Sequence, residues 1–249
     1  MTGCVDCLTS SALIPCDAMP PRSRNPISRR ERPAKPALTR AGIVATAVEI
    51  LRAEGLAKVT MRRLAQELDT GPASLYVYVA NTDELHAAML DDLLGEVDLD
   101  TAAGGDDWRE RLVGVLNSYT LVLFAHPELA RAALAARPNG ENYLRLLERL
   151  LALLDEGGVP AAQAAWGVNV LLQSATATAA EESMRAQAQQ RAEQEWDALS
   201  HALHEVDGRT HPRLHALADE LLSGTPEERL SWSFRMLING IAETPVRRG

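Results

Sequence analysis

The segment TMRRLAQELDTGPASLYVYVANTDEL, Thr60 to Leu85, leaves its backbone few options. It holds two residues suited to capping a helix, Thr60 and Asn81, with a Gly71-Pro72 break between them. A capping side chain accepts a hydrogen bond from one of the free amides in the first turn, so each cap marks a start. Proline has no amide proton, and its fixed φ suits the first turn of a helix. The spacing predicts a helix from Thr60 with Met61, Leu64, Ala65 and Leu68 on one face, then a turn at Asp69-Thr70-Gly71. A short third helix follows from Pro72 to about Val79, and Asn81 caps a fourth, with Asp83 and Glu84 where the helix dipole favours acids. Upstream, Thr39 starts a first helix carrying Ile43, Ala47, Ile50 and Leu51 on one face, and Gly55 stops it. Three helices with a short glycine-containing turn between the second and third make a helix-turn-helix.

The third helix is rich in hydroxyls. Leu75 and Val79 are four apart and can face the first two helices, which leaves Ala73, Ser74, Tyr76, Val77 and Tyr78 for the other faces. A helix that enters the major groove needs a small, close-fitting N-terminus and donors that reach phosphates or base edges. Tyr76 can serve at little entropic cost, having two rotatable angles. The alternative is that both tyrosines pack the domain.

The chain of 249 residues has a net charge of -9, which argues against a nucleic-acid partner until its distribution is considered. Between Arg22 and Tyr76 stand eleven Lys/Arg against five Asp/Glu, a surplus of six, so the remainder carries fifteen negative charges. That split suggests a basic binding module on an acidic body. Aromatics make up only 4% while Ala and Leu dominate, favouring helices. No apolar run reaches the roughly 18 residues of a membrane span, and no basic-then-apolar start marks a signal peptide. A cytoplasmic protein with no membrane partner is expected. Residues 1–36 are rich in Pro, Arg and Ser and are expected to be disordered; their arginines are either an arm touching phosphate or the minor groove, or a solvated tail. Cys4, Cys7 and Cys16 all fall there; the Cys4-x-x-Cys7 pair lacks a fourth ligand nearby, and a translation start at Met19 would remove all three.

Beyond Gly104-Gly105, Trp108 opens a helix to Phe124, which His126-Pro127 breaks. A short helix leads to Arg137-Pro138, and Asn139 can cap another that ends before Gly157-Gly158. A long segment runs from Pro160 to about Arg191, and Pro226 opens the last helix, ending near Ala242, with Trp232, Met236, Leu237 and Ile241 on one stripe. Asn169, Gln173, Thr176 and Thr178 interrupt an apolar helix, as befits a cavity for a small organic molecule or hydrogen bonds between core helices. His201, His204, His211 and His215 have spacings that permit a metal-responsive site, though Pro212 disturbs the second pair and the region reads as a polar connector. No Gly-rich phosphate loop, nucleophile elbow or cleft carboxylate pair points to an enzyme or a cofactor.

VTMRRLAQELDTGPASLYVYVANTDEL resembles the DNA-binding domain of the TetR family of transcriptional regulators, over about Leu38 to Leu94. HPELARAALAARPNGENYLRLLERLLALL and RLSWSFRMLINGI are similar to the C-terminal domain of the tetracycline-repressor subgroup. The resemblance implies an all-α protein: an extension (1–36), a helix-turn-helix domain (37–95) and a helical ligand-binding and dimerisation domain (96–249). It implies a homodimer that binds a double-stranded DNA operator and answers to a small-molecule effector, most simply a repressor. Thr60 and Tyr76 then correspond to phosphate contacts and Arg62 to a base- or phosphate-contacting arginine. Pro72, Ala73, Ser74 and Tyr78 form the groove-facing set, with Thr70 and Gly71 in the turn. Thr82 stands where many members have Lys. The subgroup's drug-binding His and Asn positions hold Asp98, Val115 and Ala133, so tetracycline is not the expected ligand, although Glu181 keeps an acidic position. The expected effector-binding set is Val115, Tyr119, Ala133, Asn169, Gln173, Thr176 and Glu181. The last helix and the segment from Trp166 to Ala180 would form half of a dimeric four-helix bundle; for the stripe alone, an internal core helix is the alternative.

Overall fold

The computed structural model describes residues 37–100, 105, 107–135 and 138–247. The N-terminal extension, Gly104 and Arg137 lie outside the described residues. Within them all regular structure is helical, as expected: α1 (Arg40–Glu54), a 3-10 turn (Leu56–Lys58), α2 (Met61–Glu67), α3 (Pro72–Leu75) and α4 (Thr82–Leu94) come first. Then follow α5 (Trp108–Ala125), α6 (Pro127–Ala135), α7 (Glu141–Glu156), α8 (Ala161–Gln187), α9 (Gln189–Glu205), α10 (Pro212–Ala216), α11 (Ala218–Leu222) and α12 (Pro226–Glu243).

The caps act as their chemistry dictates. Thr39 Oγ1 accepts the Gly42 amide at 3.0 Å, Thr60 Oγ1 that of Arg63 at 3.1 Å and Asn81 Oδ1 that of Glu84 at 2.8 Å. Gly55 ends α1 at φ 85, a left-handed conformation that costs glycine nothing. Thr225 and Glu228 form a reciprocal capping box at the start of α12.

Two expectations need correction. Asn139 does not cap α7; Gly140 holds the cap position, and the Asp91 carboxylate of α4 accepts the Tyr143 amide at 2.9 Å. A side chain at position 140 would overlap that carboxylate, so the tertiary cap requires glycine there. The supposed polar connector around His201 is α9 and the two short helices after it. Trp196, Leu199 and Leu203 recur there at helical spacing, a weak stripe among many charges.

Two apolar clusters share α4. One gathers Ile43, Ala47, Leu64, Leu75, Val79, Leu85 and Met89 from α1 to α4. The other gathers Leu90 and Leu94 of α4 with Leu112, Leu116, Leu150, Leu171, Phe234 and Ile238 of the body. Leu129 of α6 is fully buried in the first cluster rather than the second. α6 thus enters the core of the helix-turn-helix.

Candidate nucleic-acid interface and effector region

Leu64, Ala65, Leu75 and Val79 are buried and hold α2 and α3 against α1. Between α2 and α3 the Thr70 amide reaches Ala65 O at 2.8 Å and the Asp69 amide reaches Gln66 O at 3.1 Å. This paired closure needs a left-handed residue just past the helix end. Asp69 supplies it with φ 46, whereas Gly71 is extended at φ -84. The turn therefore tests simply. Asp69→Val should cost about 1–2 kcal/mol in urea unfolding, because a branched side chain is strained there, and Asp69→Gly should not.

α3 is shorter than expected. It ends at Leu75, and Tyr78 and Val79 close a turn by bonding Leu75 O at 2.9 and 3.1 Å. The run Tyr76-Val77-Tyr78-Val79 is aromatic and β-branched, which weakens helix, and Asn81 restarts it. Tyr76 is 52% exposed, Val77 80% and Tyr78 37%, so the core belongs to Leu75 and Val79 and the tyrosine rings face outward.

The other expected contacts are mostly exposed too: Thr60, Arg62, Gly71, Pro72, Ala73, Ser74 and Thr82, with Thr70 half-buried. Thr60 accepts an amide with its hydroxyl oxygen and keeps its own proton for an outside acceptor. The neighbouring arginines differ. Arg63 is bound by Glu54 at 2.9 Å and Glu67 at 2.5 Å, hydrogen bonds that raise its pKa. Arg62 has no ion pair among the described residues. The i,i+4 spacing to Glu67 already marks Arg63 in the sequence, whereas its contact with Glu54 of α1 is set by how the helices pack. Lys58, which lies in the 3-10 turn and was not among the expected contacts, is likewise exposed without an ion pair among the described residues.

In the body, Val115, Tyr119 and Thr176 are buried and Ala133 is half-buried. The Thr176 hydroxyl donates to Leu172 O at 2.7 Å, so it accepts the Tyr119 O–H at 2.8 Å. Burial pushes the Tyr119 phenol up to about 12, keeping it a neutral donor. Thr176 is therefore a helix-helix hydrogen bond in the core, one of the two roles expected of it. Asn169, Gln173 and Glu181 correct the expectation: all three are exposed, Asn169 bonds back to Ala165 O at 3.1 Å, and Glu181 pairs with Arg185 at 2.6 Å. In the single chain the polar interruption of α8 thus lies on its outward face, beside Trp166 and Val170. A cleft of about 230 Å³ lies elsewhere, lined in part by Asp98, Leu99, Asn142 and Arg145.

The four late histidines go to separate partners. His201 meets Glu205 at 3.1 Å, His204 meets Asp219 at 3.2 Å, His211 meets the Thr210 hydroxyl at 2.9 Å and His215 packs on Gly208. Among the described residues no three His, Cys, Asp or Glu gather as a metal site. None of their helices is long and apolar enough to cross a membrane.

The stripe on α12 divides. Phe234 and Ile238 face the core and Leu237 and Ile241 pack beside it, while Trp232 is 65% and Met236 48% exposed. On α8, Trp166 is 61% and Val170 45% exposed, so two adjoining helices each present an uncovered apolar face.

Two family models match this chain. Residues 43–89 match "Bacterial regulatory proteins, tetR family", and residues 101–244 match "Tetracyclin repressor-like, C-terminal domain". The solved transcription regulator SCO7704 of Streptomyces coelicolor is 61% identical, with 86% of this chain and 100% of that one aligned at a TM-score of 0.70. ActR of Streptomyces coelicolor, solved in complex with actinorhodin, is 37% identical over 83% of this chain and 96% of that one, at a TM-score of 0.72. The transcriptional repressor DrrR1 of Streptomyces coeruleorubidus is 34% identical over 53% of this chain and 48% of its own length. The chain spans about half the length of the curated relatives it matches.

Proposed function

Because the chain belongs to the TetR family of bacterial regulatory proteins, we propose that it is a cytoplasmic, DNA-binding repressor that leaves its operator when a small organic molecule binds the body. The observation that carries this reading is the outward face of α2 and α3: exposed Tyr76 and Tyr78, the small residues Pro72 to Ser74, and an Arg62 left without an ion pair. Residues 37–95 are the DNA-binding domain and 96–249 the effector and dimerisation domain. Two copies joined through the exposed faces of α8 and α12 hold their third helices about 34–36 Å apart, so that both enter major grooves of a pseudo-palindrome. ActR, solved with actinorhodin, supports a small organic effector, and Val115, Tyr119 and Ala133 are the inward residues it would meet. A hundredfold loss of operator affinity requires a coupling of only about 2.7 kcal/mol between the two sites.

The test is fluorescence anisotropy on the DNA flanking the protein's own gene, across a salt series. Wild type should bind saturably with a steep salt slope. Arg62→Ala and Tyr76→Ala should each weaken binding by about tenfold or more, with melting unchanged because both side chains are exposed. Affinity equal to that for random DNA, there and in selection from random sequence, would end the repressor reading.

A further inference from the structure

The outer surface of α3 lacks the side chains that read purines. From Thr70 to Ala80 the chain holds no Lys, Arg, Asn or Gln. In the major groove guanine is read by Arg or Lys and adenine by Asn or Gln, each through hydrogen bonds to the base edge. This stretch offers instead the hydroxyls of Thr70, Ser74, Tyr76 and Tyr78 and the apolar groups of Ala73 and Val77. Val77 stands out. At 80% it is the most exposed large apolar side chain among the described residues, ahead of Trp232 at 65%. It adds little to the core, because Leu75 and Val79, two residues to either side, are fully buried and carry the packing. A β-branched residue also weakens the helical turn that it occupies. That turn continues past α3, since the Val79 amide reaches Leu75 O at 3.1 Å. Val77 therefore follows Ala73 by one turn, and both are exposed.

Resting on the DNA-binding reading above, we propose that Val77, with Ala73 beside it, selects thymine in each half-site by packing against its 5-methyl group. That methyl is the apolar mark of thymine in the major groove, and it separates thymine from cytosine. Valine suits the contact: its two methyls sit on a stiff χ1, so little rotamer freedom is lost when they are covered. No charge takes part, so the preference should persist as salt rises, unlike a contact to phosphate.

The experiment uses the full-length protein and the duplex that it enriches from random sequence. Each thymine of one half-site, together with its symmetry mate, is replaced in turn by uracil, which pairs identically and lacks only the methyl. At the thymine that meets Val77, wild type should bind the uracil duplex about fifteenfold more weakly, from about fourfold for each buried methyl. Val77→Ser should bind the thymine duplex about as weakly, and it should not distinguish uracil from thymine at that position. Its melting should match wild type, because the side chain is exposed. If no thymine shows a uracil effect that depends on residue 77, or if the enriched half-site holds no thymine, the methyl contact is overturned and the repressor reading stands. Wild type that enriches no sequence overturns both.

Discussion

Trp232→Glu is expected to yield a folded monomer whose affinity for a palindromic operator is lower by about a hundredfold. Trp232 and Met236 on α12 and Trp166 and Val170 on α8 are exposed in the single chain, yet they are large, apolar and carried on adjoining helices. Uncovered apolar faces of this kind mark an interface. Gly240, one turn beyond Met236, would direct a Cβ into open space, so the same face continues as a bare stretch of backbone that a facing helix can approach. A two-fold dimer uses one patch twice, so one substitution places two carboxylates in the seam. The half-sites are then bound independently, and the gain from tethering is lost. Sedimentation should show the monomer, anisotropy the loss of affinity, and melting should change little at low protein concentration, since the side chain is largely exposed in the single chain. A variant that stays dimeric would place the interface elsewhere.

The helix-turn-helix was legible because its signals are local. Thr39, Thr60, Asn81 and Pro72 each mark a boundary through a hydrogen bond within three residues, or through a fixed φ, and the structure places them accordingly. What failed was set by contacts distant in sequence. The cap of α7 comes from Asp91, some fifty residues upstream, and no local pattern announces it. Asn169, Gln173 and Glu181 suggest the polar lining of a cavity because composition cannot say which side of α8 faces out of the chain. The charge asymmetry is visible in the sequence, but how much of it is available to a partner is not. Ion pairs such as Arg63 with Glu54 show that much of the charge within the helices is already spent on the fold.

The link between body and helix-turn-helix is where the second large effect is expected. Leu129 belongs to α6, yet it is fully buried among Ile43, Leu64 and Leu85. Beside it the Glu128 carboxylate accepts the Leu56 amide at 2.9 Å, tying α6 to the 3-10 turn after α1. Leu129→Ala should cost about 2–5 kcal/mol, since it empties a packed site at the junction of several helices. Hydrogen exchange should locate the loss: amides of α1 and α4 should lose protection while those of α7, whose Leu150 and Leu153 belong to the other cluster, keep theirs. Equal loss in both would mean that the two clusters unfold as one. The same contact should respond to pH. His126, half-buried just before α6, has a pKa lowered below 6.5 chiefly by burial, so around that pH the unfolded chain binds more protons than the folded one. Stability therefore rises with pH through this range, and it is lost as pH falls from 6.5 toward the folded value. Acidification should loosen α1 in the wild type, and His126→Phe, which stays neutral, should reduce that response without abolishing it, because burial also lowers the pKa of His86 on α4. If α6 is displaced by an effector in the body, the disturbance reaches α1 through Leu129 and Glu128 as well as through α4, whose Leu85 and Met89 belong to the same cluster as Leu129.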